Sequence, residues 1–310
     1  MLINGPNLTL SGTAVLVLGR TPTPEIEGSM WYNCEEGRVN YTGLQTGVWS
    51  TGGALIVGRA CLAGAGTQNA GLAFGGCSGY ACACTEEYDG TNWSAGGAMI
   101  TARFSLAGAG TQNAGLAFGG NYGYCTEEYN GSSWANGGNL IQQRCVLAGT
   151  GTQDAALAFG GSAGGPGLGC TEEYNGSSWS AGGALITARG DLAGAGTQNA
   201  GLAFGGNSPY AACTEEYNGT TWSAGGALIT ARFALAGAGT QNAGLAFGGN
   251  NPYAACTEEY NGTTWSSGGN LLNGEFYLAG AGSQCSGLAF GGKNTGNCTE
   301  EYTKYIVCTL

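Results

Sequence analysis

Six tryptophans, Trp49, Trp93, Trp134, Trp179, Trp222 and Trp265, stand 44, 41, 45, 43 and 43 residues apart. Six Phe-Gly-Gly triplets, beginning at Phe74, Phe118, Phe159, Phe204, Phe247 and Phe290, keep the same intervals. A period in the forties belongs to propeller blades or to paired-helix repeats. Glycine decides between them. The chain carries 63 glycines in 310 residues, and each would cost about 1 kcal/mol relative to alanine inside a helix. Helical repeats are therefore excluded.

Each unit divides into four short strands. In the first unit Leu62 to Thr67 alternates large and small residues, Gln68 to Ala70 turns the chain, and Gly71 to Gly75 returns it. Thr85 to Tyr88 is a third strand, and Asp89-Gly90 reads as a two-residue hairpin turn with positive φ leading to a fourth strand, Thr91 to Ser94. The stretch Ala-Gly-Thr-Gln-Asn-Ala-Gly-Leu-Ala-Phe-Gly-Gly occurs identically at Ala65 to Gly76, Ala109 to Gly120, Ala195 to Gly206 and Ala238 to Gly249. Blades packed around an axis need side-chain layers of fixed thickness, and glycine lets backbones approach closely. The Phe before Gly-Gly and the Trp of the fourth strand are expected to fill the layers between blades.

The last unit has Gly291-Gly292 and Glu300-Glu301-Tyr302 but no Trp strand after them, whereas Val48-Trp49-Ser50 lacks the first three strands of a blade. The two fragments complete each other. The predicted fold is all-β: a propeller of six four-stranded blades, closed by an N-terminal strand pairing with the C-terminal blade, which removes open sheet edges. The alternative is seven blades, with Met30 to Asn33, Arg38 to Tyr41 and Val48 to Ser50 joined to Tyr305 to Cys308 in a composite blade. Residues 1–28 read as an arm and Pro linker, and 29–310 as the propeller, with 29–50 the closing segment and 51–310 the repeats.

Twelve of the twenty acidic residues are the paired glutamates of the third strands, and five of the nine basic residues are Arg59, Arg103, Arg144, Arg189 and Arg232. Strand alternation sends the two glutamates of a pair to opposite faces, so they do not act together on one bond. One is expected to bind an arginine or backbone amides between blades, and the other to be solvated. A net charge of −11 leaves nothing to neutralise a phosphate backbone or an anionic membrane surface. The apolar run Ala14 to Leu18 is too short to span a bilayer, and no basic segment precedes it as a classical export signal would require. Six of the thirteen cysteines, Cys84, Cys125, Cys170, Cys213, Cys256 and Cys298, precede Thr-Glu-Glu-Tyr and read as small buried hydrophobes, with disulfides the lesser alternative. Cys77, Cys82 and Cys84 share one loop, but with no histidine anywhere a metal site is not expected.

An arginine, a strand pair ending in Gly-Gly, then Glu-Glu-Tyr and a Trp, as in Arg232, Gly248-Gly249, Glu258-Glu259-Tyr260 and Trp265, resembles the kelch repeat over six units from about Arg59 onward. The gap from Tyr260 to Trp265 is shorter than kelch repeats usually leave. Upstream, Gly28-Ser29-Met30-Trp31-Tyr32-Asn33 followed by Tyr41-Thr42-Gly43 and Trp49 resembles a short motif of tailed-bacteriophage fibre and virion proteins. Glycine-rich arrays with Thr-Glu-Glu-Tyr-Asn-Gly-x-x-Trp also look like proteins of marine phages. These resemblances imply a virion protein, assembled in the host cytoplasm.

Without histidine the usual general base, the Ser-His and Cys-His pairs, and the copper site of galactose-oxidase-like propellers are all missing. No phosphate loop appears, so no cofactor is expected. The expected function is a non-enzymatic virion structural protein, a tail fibre or capsid-surface propeller. The arm meets other virion subunits, and one face meets a host-surface glycan or protein. Oligomerisation is expected; nucleic acid and membrane insertion are not. A cellular or secreted kelch-type interaction scaffold is the second reading, and a carboxylate-only glycan hydrolase a distant third.

Variation between units marks the binding face. Turns between first and second strands and between third and fourth strands are nearly constant, whereas the loops between second and third strands and the connections between blades differ. Those loops carry Tyr80, Tyr122, Tyr124, Tyr210 and Tyr253, and the connections add Phe104, Phe233, Phe276 and Tyr277. Aromatic side chains of this kind stack on sugars or anchor protein surfaces.

Overall fold

The computed structural model describes residues 16–18, 30–33, 38–41, 47–121, 123–207, 212–250 and 255–304. Two units are distinguished: Val48–Thr303, and Met1–Gly47 with Lys304–Leu310. In the latter, Leu16–Leu18 pairs in parallel with Met30–Asn33, which pairs antiparallel with Arg38–Tyr41.

Within Val48–Thr303, the described residues form six four-stranded antiparallel sheets arranged as a β-propeller. In the first blade the strands are Ala63–Thr67, Ala70–Phe74, Thr85–Tyr88 and Trp93–Ala95, paired in that order. The sixth blade consists of Ala279–Gly282, Ser286–Phe290, Thr299–Thr303 and Val48–Thr51. Tyr302 lies opposite Trp49 and Glu301 opposite Ser50, the same register as Tyr88 with Trp93 and Glu87 with Ser94. The ring thus closes as the sequence indicates. No composite seventh blade forms among the described residues, because Val48–Thr51 is used by the sixth blade and Met30–Asn33 and Arg38–Tyr41 belong to the separate sheet.

One turn differs from expectation. Tyr88 pairs with Trp93, so the third and fourth strands are joined by four residues, Asp89 to Asn92, and not two. The Asp89 carboxylate accepts from the amides of Thr91 and Asn92 at 2.8 and 2.7 Å, and only Gly90 takes positive φ. An Asp or Asn that caps its own turn in this way replaces the tight two-residue hairpin.

Aromatic side chains fill the layers between blades, as expected. Phe74 packs against Trp134 of the next blade with ring centroids 5.1 Å apart, and the Trp134 indole N–H donates to Thr85 Oγ1 of the preceding blade at 2.9 Å. Trp134 also packs on Tyr129 of its own blade. Glycine sets the spacing. A Cβ on Gly108 would lie 2.6 Å from Phe74 and 2.8 Å from the Gly64 carbonyl of the neighbouring first strand. The constant first turn is also a clamp: Gln112 Nε2 donates to the carbonyls of Gly71 and Tyr88 in the preceding blade, at 3.1 and 2.7 Å.

One glutamate of each pair takes the expected arginine or amide partners, and the other departs from the expectation. The first of each pair is buried and binds within its own unit. Glu127 accepts from the Ile100 and Thr101 amides and from Arg103, which is itself buried. This fastens the incoming connection to its blade. The second glutamate is not left to solvent, because it bridges blades: the Tyr129 hydroxyl donates to Glu87 Oε1 of the preceding blade at 2.6 Å. The reason is the closeness of the blades, which brings a buried tyrosine hydroxyl to the edge where only the neighbour's carboxylate can satisfy it.

The repeated cysteines also depart from their reading. Cys125, Cys170, Cys213, Cys256 and Cys298 are half-buried, and Cys84 forms a disulfide with Cys82. Their carbonyls do the common work, each accepting from the first glycine amide of Phe-Gly-Gly, as Cys84 does from Gly75 at 3.0 Å.

Candidate functional site

Hydrogen bonds sort the connecting segments onto two faces. Gly90 sits beside Asn69 and Gly131 beside Asn113, so the constant turns lie together. On the opposite face the connections bond to the variable loops: Met99 N–H donates to Ala83, Leu140 to Tyr124, Leu185 to Gly169 and Leu228 to Ala212, each at 2.8 or 2.9 Å. Sequence variation is therefore concentrated on one face of the propeller.

At the centre of that face lies a closed circle of backbone hydrogen bonds. Cys61 N–H donates to Tyr277 O, Tyr277 to Ala234, Ala234 to Asp191, Asp191 to Val146, Val146 to Ser105, and Ser105 back to Cys61, all at 2.8 or 2.9 Å. These six equivalent residues, one per blade, all have φ between 48° and 55°. With the leucine that follows each of them they line a cavity of about 100 Å³. No two of the six are the same amino acid. A chain that supplies glycine at so many left-handed positions places Cys, Ser, Val, Asp, Ala and Tyr here, at a steric cost of roughly 1–2 kcal/mol each. Strain of this kind, repeated around one mouth, marks positions where a side chain is needed.

The polar groups at this mouth are perturbed. Burial holds the Asp191 carboxyl above its ordinary value, opposed by a hydrogen bond from Tyr277, and Asp191 Oδ1 is buried without a hydrogen-bond partner. Burial together with the Asp191 charge raises Tyr277 to about 12. Burial, and Cys77 beside it, push the Cys61 thiol up to about 12, which keeps it protonated and unreactive at neutral pH. The arrangement is a leucine-floored cup with one carboxylate, a phenol, a hydroxyl and a thiol at its rim. Cups of mixed apolar and polar lining are suited to small ligands or to a protruding side chain.

No protein-family model and no curated protein sequence matches this chain.

The aromatic residues picked from sequence do not form one cluster. Tyr277 belongs to the axial circle. Phe104, Phe233 and Phe276 stand one residue before it in their connections; Phe104 is 38% exposed and the other two are half-buried. Their carbonyls bind the loop of the following blade, as Phe104 O does with Asn121 N–H and Phe276 O with Lys293 N–H. Tyr80 and Tyr124, on the loops, are 89% and 48% exposed. Tyr122, Tyr210 and Tyr253 lie outside the described residues.

Two features of the face escape the aromatic search. One is the rest of the axial circle, Cys61, Ser105, Val146, Asp191 and Ala234; its signal is present, since the residue before each Leu-Ala-Gly changes in every unit. The other is a ring of aliphatic side chains, Ile56, Ile100, Ile141, Ile186, Ile229 and Leu272, from 55% exposed at Ile100 to 65% at Ile141. Each follows a buried Leu or Met and sits where its amide caps the buried glutamate, as Ile100 does on Glu127 at 2.7 Å. A single exposed isoleucine is ordinary, but six at equivalent places form a repeated apolar feature.

Proposed function

We propose that this protein is a non-enzymatic bacteriophage virion structural protein, a kelch-like propeller of the tail fibre or capsid surface. Its variable face binds a host-surface glycan or protein, and its N-terminal arm binds other virion subunits. The carrying observation is the concentration of variation, in a chain of near-identical units, on one face that also holds the axial cup and the exposed aliphatic ring. Further support comes from the glutamates. In each pair the first is committed to amides, and in five blades to an arginine, while the second is taken by a neighbouring tyrosine, as with Glu127 and Glu87. That pattern favours binding over acid catalysis. The phage assignment rests on the resemblance of residues 28–49 and of the repeat array to virion proteins.

The test is attachment by particles carrying Tyr80→Ala together with Tyr124→Ala. Both side chains are exposed, so folding is expected to be unchanged while attachment falls by about tenfold or more, as loss of aromatic anchors typically gives. Undiminished attachment by a folded double variant removes the face assignment.

A further inference from the structure

Five blades bury a guanidinium at one place. Arg59, Arg103, Arg144, Arg189 and Arg232 are each at most 2% exposed and paired with Glu86, Glu127, Glu172, Glu215 and Glu258. Further donors of each guanidinium go to main-chain carbonyls of the same unit, while Nε of Arg103, Arg144 and Arg232 meets no acceptor. Arg103 reaches Gly119, Cys125 and Ala117, and Arg232 reaches Gly248, Cys256 and Ala246. Beside one buried carboxylate, the Ala carbonyl before Phe-Gly-Gly is bound in all five blades, the carbonyl of its first glycine in four and that of the following cysteine in three.

The sixth blade keeps the acceptors and loses the arginine. Glu300 is buried, and accepts from the Leu272 and Asn273 amides at 2.7 and 2.8 Å, as its counterparts do. The residue at the arginine position is Glu275, which turns toward the next loop to accept from the amides of Asn294 and Thr295 at 2.9 and 2.7 Å. Asn273 Nδ2 donates to Glu300 at 3.1 Å, replacing a hydrogen bond but no charge. Where the guanidinium fits in the other blades, a small cavity is lined by Ala289, Gly291, Cys298 and Glu300, with Asn273 and Glu275 beside them and Leu271, Leu278 and Phe290 forming its apolar side. Those first four residues are the counterparts of the arginine's acceptors.

We propose that the sixth blade binds one monovalent cation in the place its five sisters fill with an arginine guanidinium. A buried carboxylate stripped of its positive partner is costly; Glu275, the second carboxylate beside the cavity, is already held by the Asn294 and Thr295 amides and the Thr295 hydroxyl, so the charge left to match is the single one that the other blades meet with an arginine. Three carbonyl oxygens with one carboxylate are hard ligands, suited to potassium, sodium or ammonium. The cavity holds about one water-sized particle.

The experiment is thermal unfolding of the full chain in potassium chloride against choline chloride at equal ionic strength, choline being too large for the cavity. A ligand of the folded state present at ten times its Kd raises Tm by about 3–6 °C for a unit of this size. The wild type is expected to show that rise, and Glu275→Arg, which brings its own cation, to show none. Equal Tm in the two salts, an equal potassium response in the variant, or a response to calcium alone overturns the proposal. Should Glu275→Arg fail to fold, crystals of the wild type soaked in a rubidium salt decide. An anomalous peak between the carbonyls of Ala289, Gly291 and Cys298 and the Glu300 carboxylate supports the proposal, and its absence overturns it.

Discussion

At the scale of single residues, Asp191 is the most exposed to test, because the fold holds it at a cost. Its Oδ1 is buried without a hydrogen bond, and burial raises its pKa above the ordinary carboxylate value. A carboxyl with a raised folded value favours the folded state while protonated. That contribution is complete below the unfolded value near pH ~4 and is lost as pH rises through the folded value. At neutral pH the charge therefore opposes folding. Asp191→Asn keeps a residue type that tolerates φ of 53° and removes the charge, so its Tm at pH 7 is expected to exceed that of the wild type. The difference should close as the solution is acidified. A variant less stable than wild type at pH 7, or a difference that ignores pH, would show that Oδ1 is satisfied in the folded protein.

At the scale of elements, each third strand is tied to a neighbouring blade by a tyrosine hydroxyl. Tyr88 donates to Glu301, Tyr129 to Glu87 and Tyr174 to Glu128, at 2.5 to 2.6 Å. Burial and then the carboxylate raise Tyr88, Tyr129, Tyr174, Tyr217 and Tyr260 to about 12. Because the folded values lie above the unfolded value of about 10, the unfolded chain loses these protons first. Stability contributed by the clasps is full below pH ~10 and disappears as pH rises toward 12. Tm measured from pH 9 upward should fall steeply over that window, and Tyr129→Phe should flatten the fall while lowering Tm at pH 8 by the equivalent of about 1–2 kcal/mol. A Tm independent of pH between 10 and 12 contradicts the clasp. The motif Thr-Glu-Glu-Tyr made the strand and its alternation legible, because two-residue periodicity is local. The owner of each glutamate was not, since that depends on how close the next blade stands, and this distance is set at Gly108, outside the strand that carries the motif.

At the scale of the whole molecule, the ring was legible because two incomplete fragments, Val48 to Ser50 and the Glu300-Glu301-Tyr302 segment, each lack the strands that the other supplies. The axial cup was less so. Six unlike residues before Leu-Ala-Gly look like drift until the hydrogen-bonded circle and its left-handed φ values place them around one mouth. Closure implies that the seam between Val48–Thr51 and Thr299–Thr303 is as strong as any covalently continuous blade. Trp49 packs on Phe247 and Tyr302 at 5.0 and 4.9 Å and donates to Thr257 Oγ1 at 2.9 Å. Trp134, inside a continuous blade, has the same three partners in Phe74, Tyr129 and Thr85 at nearly the same distances. Truncating either buried indole should therefore cost about 3–5 kcal/mol, a drop in Tm on the order of 10 °C. The decisive comparison is between them. Trp49→Ala and Trp134→Ala should lose equal stability and each unfold in a single calorimetric transition, because opening a ring anywhere exposes the same two edges. A clearly smaller loss at Trp49, or a separate early transition in that variant alone, would mean that the sixth blade is a latch on an open arc.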